Sequence, residues 1–320
     1  MLMTVLDIFT QLAEINQQLG EVYKVRAYQN AIVSLKRLPS NAKFSSCEEL
    51  LQTYDVPGLN VKGSLCRRID EILETGECQE LNELLKRPDI KVYRDLISIH
   101  DIGVKLAKKL IKEYKVRSID HLRELVKKGT VTLSRGQTLG LIHHKHLSQR
   151  VPYNEITGVI QRIKHALKRY PGLTIIGAGS YRRNCKTKGT SGDIDVLIFY
   201  QPGIKNVKLV ELVDTLMSEG IILDYFGRGE TKFQGLVGNQ IVRQIDIRYI
   251  PIESYATALL YFTGSKNFNQ NMRQKAIRLG YRLSEYHLTD LLHTNRTIPV
   301  KTEKDVFDRL KMKYVPPWKR

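Results

Sequence analysis

Apolar residues recur at helical spacing in the first part of the chain, with polar residues between them. Asp7 and Glu14 interrupt residues 1–19, so the pattern predicts an amphipathic helix rather than a signal peptide. The apolar positions on one face of this helix are Val5, Phe9, Leu12 and Ile15. Turn signals at Leu38-Pro39-Ser40-Asn41 and Val56-Pro57-Gly58, and a glycine cap at Gly76, separate further helices. Residues 1–87 are therefore predicted to be all-helical.

The pattern changes twice after residue 87. Arg87-Pro88-Asp89 is typical of a linker into a second helical stretch, and Arg150-Val151-Pro152 opens a unit in which helices and strands are mixed. The predicted elements are a helix at 154–169, strands at 173–178 and 193–200, a helix at 207–219, further strands to about 250, and a smaller α/β tail. The predicted domains are 1–87, 88–150, 151–250 and 251–320.

Two carboxylates lie side by side on the strand predicted at 193–200. Asp193 and Asp195 are two residues apart and so point to the same face, and a third carboxylate, Asp246, lies on a later strand. Hard oxygen ligands suit Mg²⁺. Two such ions roughly 3.5–4 Å apart can activate a 3′-hydroxyl and stabilise a pyrophosphate leaving group. The pattern indicates a two-metal nucleotidyl-transfer site, although Asp-x-Asp alone is also typical of an acidic strand end.

A Gly-Ser turn precedes this strand, in the segment Gly179-Ser180-Tyr181-Arg182-Arg183. Such a turn lets backbone N–H groups approach an anion, the Ser180 hydroxyl adds a donor, and Arg183 can neutralise a triphosphate. Taken alone, the segment could equally be an ordinary turn with solvated arginines. Its position one strand before Asp193 favours phosphate binding.

The charge balance indicates a polyanionic partner. The chain has 51 Lys and Arg against 33 Asp and Glu, a net charge of +18 and a pI near 9.7. No stretch approaches the roughly 18–20 apolar residues of a spanning helix, which favours nucleic acid over membrane. Four cysteines without a CxxC pair suggest reduced thiols in an intracellular compartment, and neither a zinc site nor a disulfide framework. They are Cys47, Cys66, Cys78 and Cys185.

Two stretches of the helical part resemble each other. Val56-Pro57-Gly58-Leu59 precedes a helix at 65–73, and Ile99-His100-Asp101-Ile102-Gly103 precedes one at 105–112. In a helix-hairpin-helix, the glycine-containing turn lets backbone N–H groups reach a DNA phosphate independently of sequence. The alternative is a helical packing unit without a ligand. Nearby positive charge favours DNA binding, and its residues are Lys62, Lys105, Lys108 and Lys109.

Five segments together resemble the successive motifs of family X DNA polymerases, most closely the DNA polymerase beta type. They are Gly179-Ser180, Gly192-Asp193-Ile194-Asp195-Val196, Gly229-Glu230-Thr231-Lys232-Phe233, Ile245-Asp246-Ile247-Arg248 and Tyr261-Phe262-Thr263-Gly264-Ser265. Their order covers nearly the whole chain, as far as Glu303–Asp308. The resemblance implies a multidomain fold, with an all-α N-terminal helix-hairpin-helix domain and an α/β (α+β) nucleotidyltransferase-type polymerase domain with thumb, palm and fingers subdomains.

The resemblance implies a template-directed DNA polymerase that fills short gaps in base excision repair. Its partners would be dNTP and gapped or nicked double-stranded DNA with a 5′-phosphate. Its cofactors would be two Mg²⁺, with Mn²⁺ as a substitute, and Na⁺ or K⁺ at the hairpins. A monomer is expected, in the nucleus of a eukaryote and otherwise in the cytoplasm.

Residue roles follow from the same resemblance. The catalytic and metal-binding positions are Asp193, Asp195 and Asp246. The nucleotide-binding positions are Arg150, Ser180, Arg183, Gly192, Tyr261, Phe262, Gly264, Lys266 and Asn269. The DNA-binding positions are Lys24, Tyr28, Lys62, Arg68, Gly103, Lys105, Lys232, Arg248, Arg273 and Tyr286. The monovalent cation would be held by backbone carbonyls of Ile97, Ile99 and Ile102.

The chain also departs from the family pattern. Lys266 replaces an acidic residue that leans on the incoming base, Gln244 replaces an arginine beside the third carboxylate, and Asp101 replaces the first glycine of the second hairpin. The first hairpin contains about two extra residues. Gly238-Asn239 predicts a two-residue hairpin, where family members that extend primers without a template carry a longer insertion.

One departure concerns the second activity usual in the family, removal of a 5′-deoxyribose phosphate through a lysine Schiff base. Arg68 stands at the position of the nucleophilic lysine, and a guanidinium with a pKa above ~12 cannot act as an amine nucleophile. Lyase activity is therefore expected to be weak, or rerouted through Lys62 or Lys24.

Two other classes of function are alternatives to a DNA polymerase. One is another nucleotidyltransferase of the superfamily, such as an RNA-tailing or tRNA-end-adding enzyme. The hairpins and the turn at 261–265 argue against it. The other is a non-catalytic DNA-binding scaffold, and the presence of all three carboxylates argues against that.

Overall fold

A computed structural model describes residues 2–39, 42–203, 207–238, 240–292 and 296–320. Within these ranges, no helix is both long and apolar enough to cross a bilayer. The chain forms two compact units, Met1–Leu133 and Ser134–Arg320. Their boundary falls inside the predicted segment 88–150, and the finer domain limits stay a prediction.

The first unit is helical in its described secondary structure. Its helices are α1 (Leu2–Leu19), α2 (Val22–Leu35), α3 (Cys47–Thr53), α4 (Ser64–Thr75), α5 (Gln79–Lys86), α6 (Pro88–Ile97), α7 (Val104–Lys112) and α8 (Ile119–Lys127). The predicted apolar face of α1 is buried, with Val5, Phe9 and Leu12 fully enclosed. These residues share a core with α2 and α4, including Leu35 and Ile69. Burial of this face, more than helix propensity, stabilises α1.

Local chemistry sets the helix ends. Gly76 ends α4 in the left-handed conformation, at φ 77°, which confirms the predicted cap. The Ser46 hydroxyl accepts a hydrogen bond from Glu49 N at the start of α3. The predicted linker is a single residue, Arg87, because Pro88 already begins α6. Of the turn predicted at 38–41, Ser40 and Asn41 lie outside the described residues.

The expectation of four reduced thiols is wrong for two of them. Cys47 and Cys66 are joined by a disulfide, with their Cα atoms 5.3 Å apart. Cys47 begins α3 and Cys66 lies in the first turn of α4, so the hairpin between these helices brings together cysteines that are 19 residues apart. Among the described cysteines, Cys78 and Cys185 remain thiols.

The second hairpin joins α6 to α7. Asp101 has φ 61°, the left-handed conformation that a glycine would adopt without strain. Ile102 N donates to Ile99 O at 3.0 Å, and both side chains are buried. Asp101 thus preserves the turn despite the missing glycine.

The second unit combines helices with three sheets. Its first elements are α9 (Arg135–Leu147), β1 (Val151–Pro152), α10 (Tyr153–Ala166), β2 (Leu173–Gly177), α11 (Gly179–Arg183), β3 (Thr190–Ser191), β4 (Ile194–Tyr200) and α12 (Leu209–Ser218). They are followed by β5 (Ile222–Arg228), β6 (Lys232–Gly238), β7 (Val242–Pro251), a 3-10 turn (Ile252–Ser254), α13 (Tyr255–Thr263) and α14 (Lys266–Arg278). The last are β8 (Tyr281–Leu283), β9 (Leu288–Asp290), β10 (Thr297–Ile298), α15 (Glu303–Arg309) and a 3-10 turn (Pro317–Lys319).

The main sheet has the strand order β2, β4, β7, β6, β5. Strands β4 and β7 are parallel, whereas the other neighbouring pairs are antiparallel. Strand β4 is buried on both faces, which explains its nearly continuous apolar sequence. Val196 and Ile198 pack in a cluster with α10 and α12, whereas Leu197 and Phe199 pack in another with α13. The two small sheets pair β1 with β3, and β8 with β9 and β10.

The turn between β6 and β7 is short, but the predicted two-residue hairpin is wrong. Gly238 pairs with Val242 and Val237 with Arg243, which leaves three residues between the last paired positions. A two-residue turn at 238–239 would instead pair Val237 with residue 240. Asn239 itself lies outside the described residues.

Candidate active site

The sheet places the three predicted carboxylates on one face. Asp195 of β4 lies directly beside Asp246 of β7 in the parallel register, and Asp193 is the residue before β4. Because side chains alternate along a strand, the buried neighbours Ile194 and Ile245 point to the opposite face, toward α10 and α12. The spacing i, i+2 and the strand register therefore bring Asp193, Asp195 and Asp246 together.

Burial and the repulsion between neighbouring carboxylates disfavour ionisation of Asp193 and Asp195. Burial raises the pKa of Asp193, and the neighbouring Asp246 raises it further. Burial also raises the pKa of Asp195 to about 7, with contributions from Asp193 and Asp246 that Arg183 and Arg248 only partly oppose. A group of carboxylates that repel one another is stabilised by a cation, and hard oxygen donors suit a divalent one. The donor set therefore fits the predicted metal.

Two glutamine amides hold the third carboxylate. Gln234 Nε2 donates to both oxygens of Asp246, at 3.2 and 3.0 Å, and Gln244 Nε2 donates to Oδ1 at 3.2 Å. Gln234 is the cross-strand partner of Asp246 on β6, and Gln244 precedes it by two residues on β7. Neutral donors thus occupy positions around Asp246, including the one where the family pattern has an arginine.

The described residues contain no group of three His, Cys, Asp or Glu side chains arranged as a ready-made metal site. The two-ion site stays a prediction for this reason.

The Gly-Ser turn lies directly against Asp195. A Cβ atom on Gly179 would be 1.8 Å from Asp195 Oδ2, and Gly179 has φ 53°. The neighbouring Ala178 N donates to Asp195 O at 2.9 Å. Glycine is required here by both conformation and space. Ser180 follows it in the short helix α11 and is half-buried.

Arg183 connects this turn with the segment at 261–265. Its Nη1 donates to Thr263 O at 2.5 Å. Burial lowers the pKa of Arg183, while Asp195 raises it. Gly264 follows Thr263 in the left-handed region at φ 68°. Arg183 therefore orders the predicted nucleotide-binding segment at 261–265 as well as countering Asp195.

Aromatic and polar contacts fix the rest of that segment. Asn269 Nδ2 donates to Tyr261 O at 2.6 Å, and the Arg273 guanidinium lies 4.6 Å from the centre of the Tyr261 ring. Arg248 lies 5.3 Å from the Phe262 ring. These contacts group Tyr261, Phe262 and Asn269 of the predicted nucleotide-binding residues with the predicted DNA-binding residues Arg248 and Arg273 around α13 and α14.

Other predicted residues lie at the surface. Arg150 donates through Nε to Thr190 Oγ1 at 2.7 Å and through Nη2 to Thr190 O at 2.6 Å. Gly192 and Lys266 are exposed. Tyr286 lines a groove with Glu253 and Tyr255, and no contact described for it reaches the carboxylates.

Lys232 and Arg248 are direct cross-strand partners. Like charges directly opposite each other destabilise a sheet unless an anion lies between or beside them. This pair is therefore suited to a phosphate of the backbone, in agreement with the predicted DNA-binding role.

Three of the predicted DNA-binding residues of the first unit surround a carboxylate that the sequence analysis did not single out. Lys24, Tyr28 and Arg68 all contact Glu80 of α5. Lys62 is exposed before α4, where its backbone N–H donates to Asn60 Oδ1 at 3.0 Å. In the second hairpin, Gly103 is the N-cap of α7 and Lys105 is exposed. The roles of Ile97, Ile99 and Ile102 in holding a cation stay a prediction.

Comparison with known proteins identifies the family. The family model of the DNA polymerase beta palm matches residues 150–252, that of the DNA polymerase beta thumb matches 258–320, and a helix-hairpin-helix domain model matches 3–78. The chain belongs to the family X DNA polymerases. The predicted fold class, a helix-hairpin-helix domain followed by a mixed α/β polymerase domain, is thereby confirmed.

Individual relatives within family X agree with this assignment. DNA polymerase lambda of Rattus norvegicus is 30% identical over 321 residues, covering 94% of this chain and 53% of the relative. DNA polymerase lambda of Arabidopsis thaliana is 27% identical, covering 98% and 61% respectively. DNA-directed DNA/RNA polymerase mu of Homo sapiens is 26% identical, covering 94% and 65%. The chain thus spans about half to two thirds of the length of these relatives.

Proposed function

We propose that this family X chain is a template-directed DNA polymerase that fills short gaps in base-excision-type repair. The observation that carries the proposal is that Asp195 on β4 and Asp246 on β7 lie side by side, with Asp193 just before β4, against a turn at Gly179 that no other residue fits. The surrounding positive charge of Arg183 and Arg248 suits a triphosphate and a DNA backbone.

The reaction would transfer a nucleotidyl group from dNTP to a primer. The primer 3′-oxygen forms a bond to the α-phosphorus, the bond from that phosphorus to the bridging oxygen breaks, and pyrophosphate leaves. In the proposed roles, Asp246 accepts the proton of the 3′-hydroxyl, while Arg150, Ser180 and Arg183 bind the triphosphate. Two Mg²⁺, or Mn²⁺ in their place, held by Asp193, Asp195 and Asp246, would polarise the reacting phosphate oxygens.

The sugar and the base would be positioned by the second half of the unit. Tyr261, Phe262 and Gly264 form the surface against the sugar, and Asn269 and Arg273 contact the nascent pair from the minor groove. The hydrogen bond from Asn269 to the Tyr261 carbonyl supports this role, because it holds the two groups in fixed register.

The first unit would bind gapped or nicked DNA. The two hairpins would hold backbone phosphates with Na⁺ or K⁺ at their carbonyls, and Lys24, Tyr28, Lys62 and Arg68 would take the 5′-phosphate. Lyase activity is proposed to be weak, since Arg68 stands at the nucleophile position. A monomer inside the cell, nuclear in a eukaryote, fits this role.

One assay tests the proposal. Purified chain with Mg²⁺ is given dNTPs on a duplex with a one-nucleotide gap, on the same duplex with an RNA primer, and on the primer strand without template. Templated addition to the gapped DNA primer is expected to dominate. Preferential addition to RNA or to untemplated ends would instead favour another nucleotidyltransferase. DNA binding without any addition would favour a scaffold.

A further inference from the structure

Two cations and a phenol of the first unit converge on one carboxylate. Tyr28 OH donates to Glu80 Oε2 at 2.6 Å, Lys24 Nζ lies 3.2 Å from Oε1, and Arg68 Nε donates to Oε2. Arg68 is anchored from behind, because its Nη1 donates to Ser64 O at 2.9 Å. Donors from α2 and α4 thus meet at the first turn of α5.

The charge states of this cluster are well defined at neutral pH. Burial acts to raise the pKa of Glu80, but its hydrogen bonds and the charges of Arg68 and Lys24 together lower it, so Glu80 is ionised. Burial and the contact with Glu80 raise the pKa of Tyr28, so its hydroxyl keeps the proton that it donates. Lys24, Arg68 and Glu80 together therefore carry one net positive charge instead of two.

The same donors would suit a phosphate monoester better than a carboxylate. A terminal phosphate carries about −1.5 to −2 charges and three acceptor oxygens, compared with one charge and two oxygens for Glu80. The Glu80 side chain is 18% exposed, and it lies at the second residue of α5, so it borders solvent. Rotation about its side-chain bonds would release the donors without unfolding the helix.

We propose that Glu80 is a specificity-determining residue for the DNA end, because its carboxylate takes the place of a terminal phosphate among Lys24, Tyr28 and Arg68. A 5′-phosphate then binds these donors only by displacing Glu80. This inference rests on the proposed function, which assigns the three donors to the 5′-phosphate. It implies that Glu80 lowers the affinity for a 5′-phosphate by competing with it for the same three donors.

The experiment compares the full chain with its Glu80→Gln variant, which removes the charge but keeps the size of the side chain. The dissociation constant is measured for a one-nucleotide gapped duplex that carries either a 5′-phosphate or a 5′-hydroxyl. Glu80→Gln is expected to raise the preference for the 5′-phosphate about tenfold, the range of a charged hydrogen bond. The slope of log Kd against log salt for the phosphorylated duplex should become steeper by about one.

Two further variants make the comparison specific. Glu83 lies on the same helix as Glu80, is exposed and accepts a hydrogen bond from Gln79. The control variant Glu83→Gln should leave the preference for the 5′-phosphate unchanged. The double variant Lys24→Gln, Glu80→Gln should lose most of the gain. The proposal is overturned if the increased preference for the 5′-phosphate persists without Lys24, or if Glu80→Gln leaves the preference unchanged. Glu80 would then have only the structural role of linking α2, α4 and α5.

Thermal melting checks that each variant is folded. If Glu80→Gln melts near the assay temperature, Glu80→Asp is used instead, because it shortens the side chain by one methylene. It should raise the phosphate preference in the same direction but less, and an unchanged preference would overturn the proposal. Nucleotide addition on the 5′-hydroxyl gap is measured in parallel. If the wild type adds no nucleotide, the proposed polymerase function is contradicted. The ratio of the dissociation constants for the 5′-hydroxyl and 5′-phosphate duplexes tests the role of Glu80 independently of that activity.

Discussion

At Gly179 the backbone passes so close to Asp195 that even a methyl group would collide with the carboxylate, at 1.8 Å from Oδ2. The left-handed φ of 53° adds backbone strain for any other residue. Gly179→Ala is therefore expected to displace Asp195 or the turn, and misplacement by about 1 Å can reduce a rate on the order of 100-fold. Single-turnover addition on a gapped duplex measures the effect.

Gly158→Ala is the matched control for this substitution. Gly158 lies within α10, and a Cβ there would meet no atom within 4 Å. Alanine at a helical position without strain is expected to stabilise the protein by up to about 1 kcal/mol and to leave addition unchanged. Full activity of Gly179→Ala would show that the turn can move without affecting the carboxylates.

The third carboxylate gives the largest expected effect. Asp246→Ala removes the proposed proton acceptor and a metal ligand, so the rate of addition should fall by on the order of 10³-fold or more while the affinity for DNA changes little. Asp193→Ala should behave in the same way. Glu219 is an exposed residue after α12, and Glu219→Ala is the control for loss of a carboxylate away from the site. Near-wild-type turnover by either aspartate variant would refute the catalytic assignment.

Arg68 stands where 5′-deoxyribose phosphate lyase activity would need an amine nucleophile. The Arg68→Lys variant restores an amine, and borohydride trapping on an incised abasic substrate should increase if the nucleophile alone is missing. Glu80 would keep that new amine protonated, so trapping should increase further in the double variant Arg68→Lys, Glu80→Gln. No gain in either variant would indicate that the longer hairpin before α4 has moved the helix, and peptide mapping identifies the cross-linked lysine.

At the scale of secondary-structure elements, one carboxylate connects three segments of the second unit. Glu303 of α15 accepts from Arg182 of α11 and from Arg320, whose side chain is fully buried. Glu303→Gln would leave a buried guanidinium without its counterion, which costs on the order of 3–5 kcal/mol of unfolding free energy. Chemical denaturation at pH 7 measures this loss.

The pH dependence of that loss has a definite sign. Burial acts to raise the pKa of Glu303, but its arginine partners lower it overall. The stabilisation is therefore complete above the unfolded pKa of about 4.3 and disappears as the pH falls through the lower folded value. Wild type and Glu303→Gln should therefore converge only once the pH has fallen below the lowered folded pKa of Glu303. Lys304→Gln, which breaks an exposed pair with Asp308 on the same helix, should show no measurable loss at any pH.

Local patterns predict more of this fold than long-range ones. The apolar period of α1, the cap at Gly76 and the spacing of Asp193 and Asp195 are properties of short segments, and each lies where the sequence indicates. The positions of Gln234, Glu80 and Glu303 depend instead on strand register and helix packing across the unit, which no short segment encodes. The disulfide between Cys47 and Cys66 was missed for the same reason, since only the hairpin brings the two together.

At the scale of the whole molecule, the net charge of +18 attracts DNA without selecting a substrate. Selection among DNA substrates must come from sites where basic side chains lie together or are neutralised by a carboxylate. Lys232 and Arg248 are cross-strand partners on β6 and β7, whereas Glu80 neutralises one of the two positive charges of Lys24 and Arg68 in the first unit.

The short connection between β6 and β7 of the main sheet bears on whether the chain needs a template. The pairing of Gly238 with Val242 leaves only three residues between β6 and β7, too few to reach into the place of a template strand. Addition in Mg²⁺ is therefore expected to require a template and to be most efficient in short gaps with a 5′-phosphate. Primer extension on gapped, recessed and single-stranded DNA measures this requirement. Efficient extension of the single strand would mean that another segment of the chain can hold the primer end without a template.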